Sequence, residues 1–155
     1  MHTAIFILVS GTDDLELSVA TWLEARREQL ASDVLARVAE EMPSLLDEED
    51  RRVGRDAVRS LIVDFATTPH LGAGRFQVRA PAAAVAFPQR LVRRGAALAE
   101  TLRAYRLGQE IVFGHVMELA REIPDAEQRL ATATRLGALS FRYADALARR
   151  RRAPV

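Results

Sequence analysis

The sequence predicts an all-α fold, an antiparallel bundle of about five helices. Three observations predict it. Ala and Leu are abundant while the chain holds only 8 Gly and 6 Pro in 155 residues, a balance that favours helix. Apolar residues recur three and four apart in successive segments. The connections between those segments are mainly short and marked by Pro or Gly. No internal repeat or second domain is visible, so residues 15–150 read as one domain of ordinary size.

The first helix is expected over Leu15–Met42. Leu15, Val19, Trp22, Leu23, Leu30, Val34, Leu35 and Val38 form its apolar stripe. Asp13 or Asp14 serves as cap, and Pro43 ends it. The second is expected at about Glu48–Ala66, capped by Asp47, with Val53, Ala57, Val58, Leu61, Ile62 and Phe65 inward. Residues 69–81, "PHLGAGRFQVRAP", carry turn-formers and no helical period, and read as a loop. A short helix follows from Pro81 to about Arg94, kinked or restarted at Pro88 and closed by Gly95 as C′ residue. A long helix spans Ala97–Glu122. Pro124 breaks it, and the last helix runs from Pro124 or Asp125 to about Arg150. Residues 151–155 are a tail or the start of a linker.

Residues 1–14, "MHTAIFILVSGTDD", stand apart. The apolar run Ala4–Val9 is far too short to span a bilayer, and it lacks the basic leader and cleavage pattern of a secretory signal. It reads as a short strand or an apolar arm docking on the domain or a second copy, with a disordered leader as the equal alternative.

Charge and composition exclude several classes. The net charge is +1, so no global field draws the chain to nucleic acid or an anionic membrane. All 22 basic residues are Arg. There is no Cys, hence no disulfide, thiol nucleophile or thiolate metal site. A cytoplasmic setting is compatible with this.

The helix at 97–122 poses the functional question. Its inner line is expected at Leu98, Leu102, Tyr105, Gln109, Val112, Val116, Leu119 and Ile123, spaced alternately four and three. Tyr105 and Gln109 place polar groups on that seam, and His115 flanks it. Gly108 and Gly114 interrupt a helix interior, where Gly costs about 1 kcal/mol relative to Ala. One reading makes these packing devices. The Tyr105 hydroxyl meets a neighbouring carbonyl, Gln109 fixes register, and the glycines let helices approach. The other makes Tyr105, Gln109 and His115 the lining of a small effector pocket. Arg103 and Arg106 are the nearest cations for an anionic effector, their plain role being to pair with Glu100 and Glu110.

The same stretch carries a resemblance. The turn Arg93-Arg94-Gly95, followed by Leu98, then Leu102-Arg103-Ala104-Tyr105-Arg106-Leu107-Gly108, resembles the N-terminal helical domain of the PucR/CdaR-type transcriptional regulators of actinobacteria. It is similar also to the N-terminal module of the RsbRD stress-signalling co-antagonists. The similarity is best over 93–113 and looser over about 15–148. It implies a non-catalytic helical sensor or regulatory module, working in signal transduction or transcription regulation. In regulators of that kind a central domain and a helix-turn-helix follow. This chain ends at "RRRRAPV" without a helix-turn-helix signature, so direct nucleic-acid binding is not implied.

Nothing else in the sequence assembles into chemistry. His2, His70 and His115 stand alone, without metal-ligand spacing. The acidic run 47–50, "DEED", fits the start of a helix better than a calcium loop. Ser60 and Ser140 sit in no nucleophile motif, and "GAG" at 72–74 lacks the context of a nucleotide loop. The block 148–153 reads as the solvated basic end of the last helix. The expectation is therefore no enzyme, no metal and no cofactor.

The last helix instead offers apolar residues around much of its girth: Leu136, Leu139, Phe141, Tyr143 and Leu147. Such a helix is central in the bundle or buried in an interface. A homodimer is expected, with Trp22, Leu139 and Tyr143 at its interface. The leading expectation is a dimerising input domain that responds to a small effector or a partner protein. A free-standing interaction module without ligand, and a haem- or flavin-binding sensor, are the alternatives.

Overall fold

The computed structural model describes residues 12–67 and 81–150, with side chains described for 18–66, 81–138, 140–142 and 145. The arm at 4–9, His2, His70, most of the 69–81 loop, the 151–155 tail and the side chains of Leu139, Tyr143 and Leu147 lie outside the described residues. Among the described residues the chain is all-α, without strands. Six helices follow in order: α1 (Thr12–Ala25), α2 (Arg27–Glu41), α3 (Glu48–Thr67), α4 (Ala82–Arg93), α5 (Leu98–Arg121) and α6 (Ala126–Arg150).

The sixth helix arises because the first expected helix is divided at Arg26. Arg26 takes φ −107° and ψ 8°, outside the helical well. Its N–H is shared between the carbonyls of Trp22 and Leu23, both at 3.2 Å, and its own carbonyl accepts from Leu30 N–H at 2.9 Å. The ladder is disturbed for one residue and then resumes. The apolar stripe therefore continues across the break, with Val19, Leu23, Leu30, Val34, Leu35 and Val38 all buried. α1 begins at Thr12, so Asp13 and Asp14 lie within its first turn and not before it.

The other helix limits follow their punctuation. Asp47 caps α3: its carboxylate accepts from the Asp50 N–H at 2.7 Å, and the Asp50 carboxylate accepts from the Asp47 N–H at 3.1 Å. Pro88 stays inside a continuous α4, buried on its inner side. Gly95 takes φ +91° in the α4–α5 turn, where an L side chain would be strained. Asp125 caps α6 by accepting from Gln128 N–H at 2.7 Å.

Cross-links set the directions. Arg59 pairs with Glu28, and Gly54 lies against Leu35, so α3 runs antiparallel to the α1–α2 rod. Arg90 bonds Asp50 and Phe87 packs at Gly54, so α4 runs back along α3. Arg103 bonds Glu41, Gly108 faces Val34 and His115 meets Asp33, so α5 is antiparallel to α2. α6 packs on α5, with Gly137 opposite Phe113.

Two core clusters result. One gathers Leu35, Val38, Met42, Ala57, Phe87 and Leu91 between α2, α3 and α4. The other gathers Val19, Leu23, Leu30, Ile62, Val116, Leu119 and Leu136 where α1, α3, α5 and α6 meet. The last helix is thus not central. It lies at the edge of the bundle, with Leu130 and Phe141 68% and 69% exposed.

Candidate functional site along α5

The buried line of α5 follows the expected seam at Val116, Leu119 and Ile123 and departs from it before them. Thr101, Ala104, Val116, Leu119 and Ala120 are buried, while Leu98, Leu102 and Gln109 are exposed. The physical reason is close approach. A Cβ on Gly108 would come within 3.1 Å of Val34 Cγ1, a tight contact. Thr101, Ala104 and Gly108 share one face at spacings of three and four, on which Ala104 joins the core cluster of Val34 and Val38 and Gly108 meets Val34. The large residues Leu98 and Leu102 are displaced to the flank. Gly108 thus lies directly against Val34 of α2. A Cβ on Gly114 would meet nothing within 4 Å, so that glycine is not required by packing.

Each expected site residue can now be placed. Tyr105 is half-buried against the first core cluster, and its hydroxyl donates to the Ala84 carbonyl of α4 at 2.8 Å. This is the satisfied-hydroxyl arrangement. Gln109 is exposed and does not sit on the buried line as a register-fixing polar group. Arg103 donates to Glu41 of α2 at 3.0 Å, a partner 62 positions away and not Glu100. Glu100 instead accepts from the Ala97 N–H at 2.8 Å, at the start of α5. Arg106 is exposed.

His115 belongs to a different group. Its Nε2 lies 3.3 Å from an Asp33 carboxylate oxygen of α2, and its Nδ1 lies 3.9 Å from Glu118. Its ring is 6.5 Å from that of Trp22, over which Arg26 places its guanidinium carbon at 4.9 Å. Trp22 thereby packs within the chain, beside the α1–α2 break, and ties it to α5. Tyr105 and His115 are ten positions apart on α5 and make separate contacts, so the structure does not bring the expected pocket residues to one place. The open crevice of about 420 Å³ lined by Arg27, Arg59, Ser60, Val63, Asp64 and Pro81 lies against α3, not against the Tyr105 line.

One polar group was missed from sequence. Asp50 is 0% exposed, and its carboxylate receives Arg90 Nε at 2.6 Å and a close contact from Arg94 Nη1. Asp47 lies 3.1 Å from Arg94 and 3.8 Å from Arg90. Arg90 of α4 and Arg94 just after it thus close on the α3 capping pair. A buried carboxylate held by two guanidinium groups and a backbone N–H is fully partnered, as burial of a charge requires. The signal available in sequence was weak: an acidic run at one helix start and Arg in the last turn of another, 40 positions apart. Farther out on the same run, the hydrogen bond from Arg52 lowers the Glu49 carboxyl below its ordinary range.

The hydroxyls considered as nucleophiles are engaged in the helices. Ser60 donates to the Asp56 carbonyl at 2.7 Å, and Ser140 to the Leu136 carbonyl at 2.9 Å. Among the described residues no helix is long and apolar enough to cross a membrane.

Comparison with known proteins bears on this arrangement. A family model described as the RsbT co-antagonist protein rsbRD N-terminal domain matches residues 28–151. The match takes in α2 through α6 and begins just past the Arg26 break. No curated protein and no solved structure gives a match.

Proposed function

The chain belongs to the RsbT co-antagonist rsbRD N-terminal domain family, a helical regulatory or sensor-type domain, and from that premise we propose that it is a non-catalytic input domain acting through protein contacts. The observation that carries this reading is the match across 28–151, which covers every helix except α1. In the finer reading it resembles the input domain of PucR/CdaR-type transcriptional regulators of actinobacteria and works in the cytoplasm. A small effector or a partner protein would bias the packing of α5 against α2 and α4, and α6 would carry the change onward.

The same reading makes the chain a homodimer joined through α6. Leu130 and Phe141 are eleven positions apart, close to three helical turns, so they fall on one stripe. Both are more than two-thirds exposed. Leu139 and Tyr143 extend the apolar character of that helix in sequence. An edge helix with such a stripe is an unfinished packing surface.

Sedimentation velocity tests the reading. The wild-type chain at tens of micromolar, a concentration typical for a specific interface of modest affinity, is expected to sediment as a dimer. L130E/F141E is expected to sediment as a monomer with an unchanged melting temperature. A wild-type chain that is monomeric throughout this range contradicts dimerisation through α6.

A further inference from the structure

Four of the six large hydrophobic side chains exposed among the described residues lie on α4 and α5: Val85, Val92, Leu98 and Leu102. Their placement is coherent. On α4, Ala84, Phe87 and Leu91 face the core, while Arg90 and the C-cap Arg94 turn to Asp47 and Asp50 at the start of α3. Val85 and Val92 each follow a core residue by one position, which puts them on the flank away from α3. On α5, the Tyr105 hydroxyl reaches the Ala84 carbonyl, so the Tyr105 flank is the one that faces α4. Leu98 and Leu102 precede Tyr105 by seven and three positions and share that flank. The four side chains thus lie along the line where α4 and α5 meet, beside half-buried Tyr105.

The bundle does not use these side chains for its own core. Leu98 is 66% exposed and Val92 53%. Apolar side chains grouped in this way mark an interaction surface. The rim gives its sign. Residues 81–110 carry Arg90, Arg93, Arg94, Arg103 and Arg106 against Glu100 and Glu110, an excess of three positive charges. Arg90, Arg94 and Arg103 are held by acids of α2 and α3, whereas Arg93 and Arg106 are exposed on the two helices that carry these side chains. The α6 of a second copy does not suit this rim, because α6 is itself basic, with Arg129, Arg135, Arg142, Arg149 and Arg150 against Glu127 and Asp145.

We propose that this α4–α5 face is a docking site for an acidic amphipathic helix of a partner protein. Val85 and Val92, one heptad apart, with Leu98 and Leu102 opposite, suit an apolar face at i, i+3, i+4 and i+7. Arg93 and Arg106 meet carboxylates along its sides. The proposal rests on the regulatory reading above and names where the partner lands.

The test uses the full chain and two synthetic amphipathic peptides of about 18 residues, long enough to form helix on docking. Both carry the same Leu face; one has Glu on its flanks and the other Lys. The Glu peptide is expected to shift the methyl resonances of Val85, Val92, Leu98 and Leu102. It is expected to bind at least about tenfold more tightly than the Lys peptide. Both L98E/L102E and R93E/R106E, changes at exposed positions, are expected to weaken it at least about tenfold with melting unchanged. Equal binding of the two peptides, shifts elsewhere on the bundle, or no binding overturns the proposal. So does loss of the dimer in L98E/L102E, which would give the face to a second copy. Binding of phosphatidylserine vesicles in place of the peptide overturns it as well. Sedimentation of the same samples separates the two levels: a wild-type dimer without peptide binding refutes the docking site alone, and a wild-type monomer that binds the Glu peptide refutes dimerisation through α6 alone.

Discussion

The α3–α4 side of this molecule and its α6 edge are built on opposite terms. On the first, the two helices close on each other through paired charges and packed side chains. Asp50 is enclosed by Arg90, Arg94 and the Asp47 N–H, and Gly54 lets Leu35 and Phe87 close over the helix. On the second, a long helix rests on α5 and leaves Leu130 and Phe141 to solvent. A contact that closes within the chain holds the fold. A region with apolar side chains left over is where the chain meets something else. The contrast teaches where to expect mutations to change stability and where to expect them to change association.

The largest loss of stability is expected at the α3–α4 contact. Asp50→Ala leaves two arginines facing an emptied polar site and removes half of the α3 capping box. The expected cost is about 3 kcal/mol, measured by urea unfolding, since stranding one side of a buried charge cluster is strongly destabilising. A cost below about 1 kcal/mol would place the node in well-hydrated surroundings and weaken the contrast. Next comes Gly54→Val. A Cβ there already meets Leu35 Cδ1 and Phe87 Cε2 at 3.0 Å, so further methyl groups overpack the site by about 2 kcal/mol.

Smaller effects sharpen the comparison along α5. Tyr105→Phe removes the hydrogen bond to Ala84 but keeps the ring, so thermal denaturation should show a loss of about 1 kcal/mol. Gln109→Leu is expected to change stability by less than about 0.5 kcal/mol, because the amide is exposed. A gain of a kilocalorie or more in that variant would return Gln109 to the buried line.

These outcomes also mark how far the sequence could be read. The fold class was legible, because the three-and-four spacing of Val53, Ala57, Ile62 and their counterparts reports one buried face per helix. The Asp47 cap, the Gly95 turn and the limits of α3 and α5 were legible for the same reason: each is a local signal carried by a few neighbouring residues. The break at Arg26 was not, since no Pro or Gly marks it and the stripe runs through it unchanged. The inner line of α5 was legible in its second half, where Val116, Leu119 and Ile123 are buried, but not in its first, where the strongest hydrophobes are not the most buried residues. Where two helices come close, the contact belongs to Ala104 and Gly108, and Leu98 and Leu102 are pushed outward. The Asp50 node was invisible because it joins helices by tertiary contact, and the sequence holds no spacing rule for that. Arg103 illustrates the same limit, bonding Glu41 on another helix in preference to its own neighbours.

Hydrogen exchange at two protein concentrations tests the central claim most directly. Backbone amides of α3 and α4 should exchange at the same rate in dilute and concentrated solution, because the contact between these two helices is made within one chain and takes no part in the dimer. Amides of α6 should become more protected as the concentration rises through tens of micromolar, as its exposed stripe is covered by a second copy. Identical α6 exchange at both concentrations would contradict the account.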